Sequence, residues 1–243
     1  MIVIPAIDLK GGKCVRLRQG RMDDETIFSD NPGATAKKWQ DVGAELVHVV
    51  DLDGAFEKTP KNLPAIERIL ECVSVPIQVG GGIRTYETAQ ILLDRGVSRV
   101  IIGTEAVRNP ALVRQLCQAY PGRILVGIDA RNGFVAIEGW AETTDVTAVD
   151  LAKGFEKEGV AAIIFTDIVR DGMGTGPNIE QTCRLDESIQ IPVIASGGVH
   201  TINDIKHLIA VSDRGIAGVI TGRAIYSDTL DLEEAIRLTK SHS

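Results

Sequence analysis

Two stretches of this 243-residue chain are near copies of one another. Val75-Pro76-Ile77-Gln78-Val79-Gly80-Gly81-Gly82-Ile83 is echoed by Ile191-Pro192-Val193-Ile194-Ala195-Ser196-Gly197-Gly198-Val199. After each comes a helix-like segment and then an apolar run ending in glycine: Val100-Ile101-Ile102-Gly103-Thr104 and Val219-Ile220-Thr221-Gly222-Arg223. Upstream, Ile2-Val3-Ile4-Pro5-Ala6-Ile7-Asp8-Leu9 has a counterpart in Ile124-Leu125-Val126-Gly127-Ile128-Asp129-Ala130. Asp8 precedes Gly81 by 73 positions and Asp129 precedes Gly197 by 68; Gly103 and Gly222 follow those glycines by 22 and 25. A repeat at about half the chain length demands a fold made of two like halves.

The rest of the pattern says which fold. Strands are expected at 2–8, 46–51, 75–79, 99–103, 124–129, 161–166, 191–195 and 217–221. Helices are expected near 33–43, 61–73, 85–95, 109–119, 147–158, 178–188, 201–212 and 230–240. The strands are apolar on both faces, as buried parallel strands are. Eight strand–helix pairs match a closed (β/α)8 TIM barrel, with an open doubly wound sheet as the structural rival. The repeat favours the barrel, because two (β/α)4 halves, about 1–120 and 121–243, close on each other and leave no sheet edge. No low-complexity linker splits the chain, so a single domain is expected. The strands bearing Asp8 and Asp129 are then the first and fifth, facing each other across the barrel mouth.

Charge and cysteine usage exclude several partners. A net charge of −7 and a pI of about 5.2 leave no basic stripe for nucleic acid. A small anionic metabolite stays compatible, since local amides build a phosphate site whatever the global charge. No targeting segment or membrane-length apolar window is visible. Cys14, Cys72, Cys117 and Cys183 are widely spaced and read as reduced, mostly buried thiols of a cytoplasmic protein. His48, His200, His207 and His242 lack metal-ligand spacing, so they read as packing or surface residues and no metal is expected. A monomeric barrel is the expectation.

Glycine pairs at strand ends expose backbone N–H groups and admit close approach of a ligand. In a barrel the loops after strands 7 and 8 are the usual phosphate cradle. Here they hold Ser196-Gly197-Gly198 and Gly222-Arg223, and strands 3 and 4 repeat the device with Gly81-Gly82 and Gly103-Thr104. Two cradles in register predict a small-molecule ligand with a phosphate at each end. Asp8 and Asp129 would flank its middle as a base and an acid, if their pKa values are pushed apart. With no nucleophile constellation in view, proton transfer is the simplest chemistry.

Thr166 ends the sixth strand where the second carries Asp51, and could touch substrate, orient Asp129 or cap a turn. Asp171-Gly172-Met173-Gly174-Thr175-Gly176 fails the dinucleotide pattern, because Pro177 stands where its last glycine belongs, and reads as a mobile lid. Lys10, Lys13, Arg16, Arg18 and Arg21 form either a solvated basic hairpin or phosphate contacts; Arg18, with the neighbouring Gly20, is the candidate contact. Trp140 could stack on a planar ring or simply pack.

Several of these motifs together resemble the histidine-biosynthesis ribotide isomerases, that is, phosphoribosylformimino-aminoimidazole carboxamide ribotide isomerases. They are Ile4-Pro5-Ala6-Ile7-Asp8-Leu9, Val15-Arg16-Leu17 with Gln19-Gly20, Gln78 to Arg84, Gly127-Ile128-Asp129, Gly139-Trp140 and Ala195 to Val199. The resemblance runs the full length of the chain. It implies a cofactor-free Amadori rearrangement, aminoaldose to aminoketose, on a bis-phosphorylated ribotide. It implies Asp8 as the base at the sugar C2, Asp129 as the acid that opens the ribose ring, Thr166 assisting, and Trp140 stacking on the heterocycle. Arg21 departs from the pattern, where an acidic residue is common. The alternatives are a dual-substrate isomerase that also takes phosphoribosylanthranilate, and the pathway's sister cyclase. Ala6 and Arg16 stand where the cyclase typically has Cys and Lys.

Overall fold

The computed structural model describes residues 1–18, 21–212 and 215–242, without the side chains of residues 18 and 21–23. Its strands are β1 (Ile2–Lys10), β2 (Lys13–Arg18), β3 (Arg21–Ser29), β4 (Val47–Asp51), β5 (Ile77–Gly80), β6 (Arg99–Ile102), β7 (Ile124–Arg131), β8 (Phe134–Ile137), β9 (Glu142–Thr147), β10 (Ala162–Asp167), β11 (Val193–Ser196) and β12 (Ile216–Thr221). Eight of them run parallel in the order β1-β4-β5-β6-β7-β10-β11-β12, and β12 returns to pair with β1. The sheet is therefore closed, with helices outside it, and the fold is a (β/α)8 barrel.

Period-two alternation explains how apolar strands fill two cores at once. On β1, Val3, Ile7 and Leu9 pack outward under the helices, while Ile4 and Ala6 join a separate cluster inside the barrel. On β7, Ile124, Val126 and Ile128 face out, and Leu125 faces in. Leu46, Ile101, Ala162, Ile164, Ile194 and Ile220 complete the interior plug. One more inward step along β1 from Ala6 brings the chain to Asp8, and two along β7 from Leu125, past Gly127, bring it to Asp129; both carboxylates line the cavity above that plug. The same alternation that fills the interior thus sets the two carboxylates in its top layer.

The two halves also share local chemistry. Asp51 accepts hydrogen bonds from the N–H groups of Gly54, Lys61 and Asn62 and from the Asn62 side chain. Asp167 accepts from the Val169 N–H and from the side chain of Asn178, eleven residues on, the same offset as Asp51 to Asn62. In register, Asp8 lies opposite Val50 and Asp129 opposite Thr166. The counterpart of Asp51 is therefore Asp167, and that of Thr166 is Val50. The pairing of Thr166 with Asp51 expected from the repeat is off by one residue, because that expectation aligned the last polar residue of each strand without knowing which side chains point inward.

Each carboxylate-bearing strand runs directly into an antiparallel hairpin, β2–β3 after β1 and β8–β9 after β7. Among the described residues no helix is long and apolar enough to cross a membrane. Cys14 and Cys117 are buried, Cys183 is half-buried and Cys72 is exposed, so burial is less general than expected.

Candidate active site

The C-terminal ends of the barrel strands open into one cavity of about 530 Å³. Every site candidate named from the sequence lines it except Lys10, Lys13, Arg18, Gly20 and Arg21; of these, Gly20 and the side chains of Arg18 and Arg21 lie outside the described residues. Asp8 and Asp129 stand in this one cavity, as do both glycine-rich rims.

The two carboxylates have unlike partners. Arg16, from the hairpin strand β2, donates from Nη1 to Asp8 at 2.7 Å. Its Nη2 reaches both carboxylate oxygens of Asp171, at 2.9 and 3.1 Å. Arg16 is only 15% exposed, so it is not a solvated surface cation, and its guanidinium is shared by two carboxylates. Burial raises the Asp8 pKa, Arg16 opposes that rise, and Asp171 adds to it. Among the described residues no cation contacts Asp129. Trp140 Nε1 donates to its Oδ2 at 2.8 Å, and Thr166 lies beside it in register. Burial again raises the pKa, and the hydrogen bonds from Trp140 and Thr166 lower it.

The glycine pairs have a structural reason beyond ligand approach. Gly81 and Gly82 have φ of +101° and +71°; Gly197 and Gly198 both have +88°. A Cβ on Gly82 would lie 2.3 Å from the Gly54 carbonyl oxygen, and one on Gly198 would lie 2.3 Å from that of Gly176. The loops after β4 and β10 thus cross directly over the turns after β5 and β11, where only glycine leaves room. Gly103 differs: its φ is −98° and a Cβ there would meet nothing within 4 Å. Its open side is free for an approaching ligand.

The lid-like loop after β10 is tied down. Asp171 is held by Arg16, the Gly172 carbonyl accepts from Arg223, and Arg170 donates to the carbonyls of Gly176 and Pro177. Arg223, expected at a phosphate, here reaches across to this loop. The Trp140 indole, which the sequence offered either as a ring-stacking platform or as packing, here donates to Asp129.

Two residues escaped the sequence reading. His48 lines the cavity and is buried, and its Nδ1 lies 3.1 Å from Gln78 Nε2. Burial, reinforced by Arg16, lowers the His48 pKa to about 4, so the ring is neutral. With the Gln78 amide donating to Nδ1, the proton sits on Nε2. The available signal was positional: His48 shares the inward face of β4 with Val50. Among the described residues no three His, Cys, Asp or Glu side chains gather as metal ligands would.

Comparison with known proteins places this geometry in context. The histidine biosynthesis protein family matches residues 2–231. A protein of Desulfatibacillum aliphaticivorans is 63% identical over 236 residues, covering 97% of this chain and 94% of its own. Proteins of Trichlorobacter lovleyi and Geobacter sulfurreducens are 62% and 60% identical over 240 residues, each covering 99% of this chain and 98% of its own. All three are named as isomerases of a 1-(5-phosphoribosyl) imidazole-4-carboxamide bearing a (5-phosphoribosylamino)methylideneamino group at position 5.

Proposed function

The chain belongs to the histidine biosynthesis protein family, and from that premise we propose that it isomerises the bis(phosphoribosyl) imidazole-4-carboxamide for which its relatives are named, by an Amadori rearrangement. One observation carries the reading: two carboxylates at corresponding positions of two half-barrels share a cavity, one beside a guanidinium and the other beside neutral donors. The guanidinium favours the ionised form of Asp8, the form able to take a proton. Asp129, buried and without a cation among the described residues, has its pKa raised by that burial and is able to give a proton.

The steps follow from those states. Asp129 protonates the ribose ring oxygen as its bond to C1 breaks, and the nitrogen lone pair forms the C1–N double bond. Asp8 removes the C2 proton, and the C2–H electrons become the C1–C2 double bond of an enolamine. C1 then gains a proton while the C2 hydroxyl loses one, giving the aminoketose. Protons alone move, so the chemistry calls for no cofactor. Thr166 steadies Asp129, and the heterocycle stacks on Trp140 once the indole has left that carboxylate.

The substrate's phosphates sit on the two rims, one at Gly81-Gly82 and Gly103-Thr104, the other at Ser196-Gly197-Gly198 and Gly222-Arg223, with Arg18 and Gly20 contributing from the first loop. The turn amides supply the donors. The free thiols of Cys14, Cys72 and Cys117 and the net charge of −7 fit a monomer in a reducing cytoplasm, bound to neither nucleic acid nor membrane. The test is turnover of the aminoaldose by Asp8→Asn and Asp129→Asn, each of which should lose about 10²–10⁴-fold in kcat, as removal of a general acid or base does. Either variant turning over at the native rate would end the reading.

A further inference from the structure

A second charged cluster lies at the same end of the barrel, and no step above uses it. The turn joining β8 to β9 carries Glu138, a single carboxylate that gathers cations from three loops of the other half-barrel. Arg84 grips it with both Nη atoms, at 3.1 and 3.0 Å. Arg108 donates to Oε1, and Lys58 lies 3.4 Å from Oε2. The hydrogen bonds from Arg84, and then the three cationic charges, lower the Glu138 pKa to about 2. The backbone N–H of Glu138 also donates to the Thr104 hydroxyl at 3.1 Å. Glu138, Gly139 and Trp140 have φ of +54°, +62° and +74°, so two side-chain-bearing residues in a row of three hold a conformation they rarely adopt. Something must enforce that shape, and its outcome is the Trp140 indole on Asp129.

We propose that Glu138 is a positioning residue that keeps Trp140 over Asp129 until an anion seated at Gly103-Thr104 takes Arg84 from it. The inference rests on the reading of that rim as a phosphate cradle. Arg84, Gly103 and Thr104 line the same cavity, and Thr104 binds the Glu138 backbone, so a phosphate there enters within reach of the Arg84 fork. It brings negative charge next to Glu138 and offers Arg84 a bidentate partner of the same geometry. Once Arg84 leaves, Glu138 keeps only the more exposed Arg108 and Lys58 on its carboxylate, so the left-handed turn is held less firmly and the indole leaves Asp129 more readily. Occupancy of the phosphate rim and exposure of the acid are thereby coupled.

Tryptophan emission reads this exchange without turnover. The chain has two tryptophans, and Trp39 is buried away from the cavity against Tyr226. Inorganic phosphate should shift the emission of the native protein in a saturable way, and Trp140→Phe should abolish the shift. Glu138→Gln and Arg84→Gln break the clasp from opposite sides, so both should show the phosphate-saturated emission before phosphate is added. Their effects on KM should be opposite. Glu138→Gln lowers KM about fivefold, the low end of ordinary coupling, and Arg84→Gln raises it. In Glu138→Gln the alkaline limb of kcat/KM should also move to higher pH, because Asp129 loses the Trp140 donor that lowers its pKa. A protein merely loosened by either change would not move KM in two directions. Native emission in both phosphate-free variants, or no phosphate effect on Trp140 in the native protein, overturns the proposal. An emission exchange without any isomerase turnover would instead overturn the functional reading and leave the clasp standing.

Discussion

Asp8 and Asp129 are both pushed above the ordinary carboxylate range by burial, so burial alone does not divide the labour between them. The division comes from their neighbours. Arg16 at 2.7 Å favours the charged form of Asp8, whereas among the described residues Asp129 has an indole N–H and a hydroxyl beside it and no cation. The sign of one consequence is fixed. Removing the guanidinium in Arg16→Met removes an influence that lowers the Asp8 pKa, so the base stays protonated to higher pH. The acidic limb of kcat/KM should move to higher pH while the alkaline limb, set by Asp129, stays in place. A limb unmoved, or moved towards acid, would show that Arg16 does not tune the base. Arg16 was visible in the sequence only as one of five basic residues between 10 and 30. What singles it out is a contact with Asp171, 155 residues away, and no local pattern encodes a contact of that span.

At the scale of elements, the glycine-rich turns were the plainest signal in the sequence, yet their meaning was only half legible. A Gly-Gly at a strand end looks the same whether a phosphate or another loop demands it. The crossing loops distinguish the cases, and substitution should too. Gly198→Ala places a methyl 2.3 Å from the Gly176 carbonyl oxygen at a φ of +88°, so the loop after β10 has to move. A loss of about 3 kcal/mol is expected from combined strain and clash, seen as a lower unfolding temperature. Gly103→Ala meets open space at a negative φ and should unfold within about 0.5 kcal/mol of the native protein, while raising KM by crowding the rim. If the two variants melted alike, the crossing loops would not be what fixes the glycine at 198. The strands were legible because their apolar runs are long and evenly placed. The β8–β9 hairpin was not, since Glu142–Thr147 is polar and mostly exposed and lacks the alternation of a half-buried strand.

Across the whole molecule, duplication supplies the frame and departures from it supply the chemistry. His48 and Gln78 form a polar pair beneath the Asp8 side of the cavity, where the corresponding positions of the other half hold Ile164 and Ile194, part of the apolar plug. A symmetric barrel with two equally placed carboxylates thus acquires a polar, cation-bearing side for a base and a dry side for an acid. Keeping a carboxylate on the dry side carries a cost in stability. In the unfolded chain Asp129 titrates near 3.8, and in the folded barrel its pKa is higher. Between those values the folded state binds more protons than the unfolded one, so stability falls as pH rises through the interval and the deficit is complete above it. Asp129→Asn removes the charge yet keeps an oxygen for the Trp140 and Thr166 donors. It should therefore be more stable than the native protein at neutral pH by about 1 kcal/mol, a typical gain for relieving a functional site. For a domain of this size that is a rise of about 2–4 °C in Tm. The gap should close as the pH is lowered below 3.8, where the native carboxyl becomes protonated in both states. A variant that melts below the native protein at neutral pH would mean that the indole and hydroxyl more than offset the burial of the charge. The acid would then have to be sought elsewhere in the cavity.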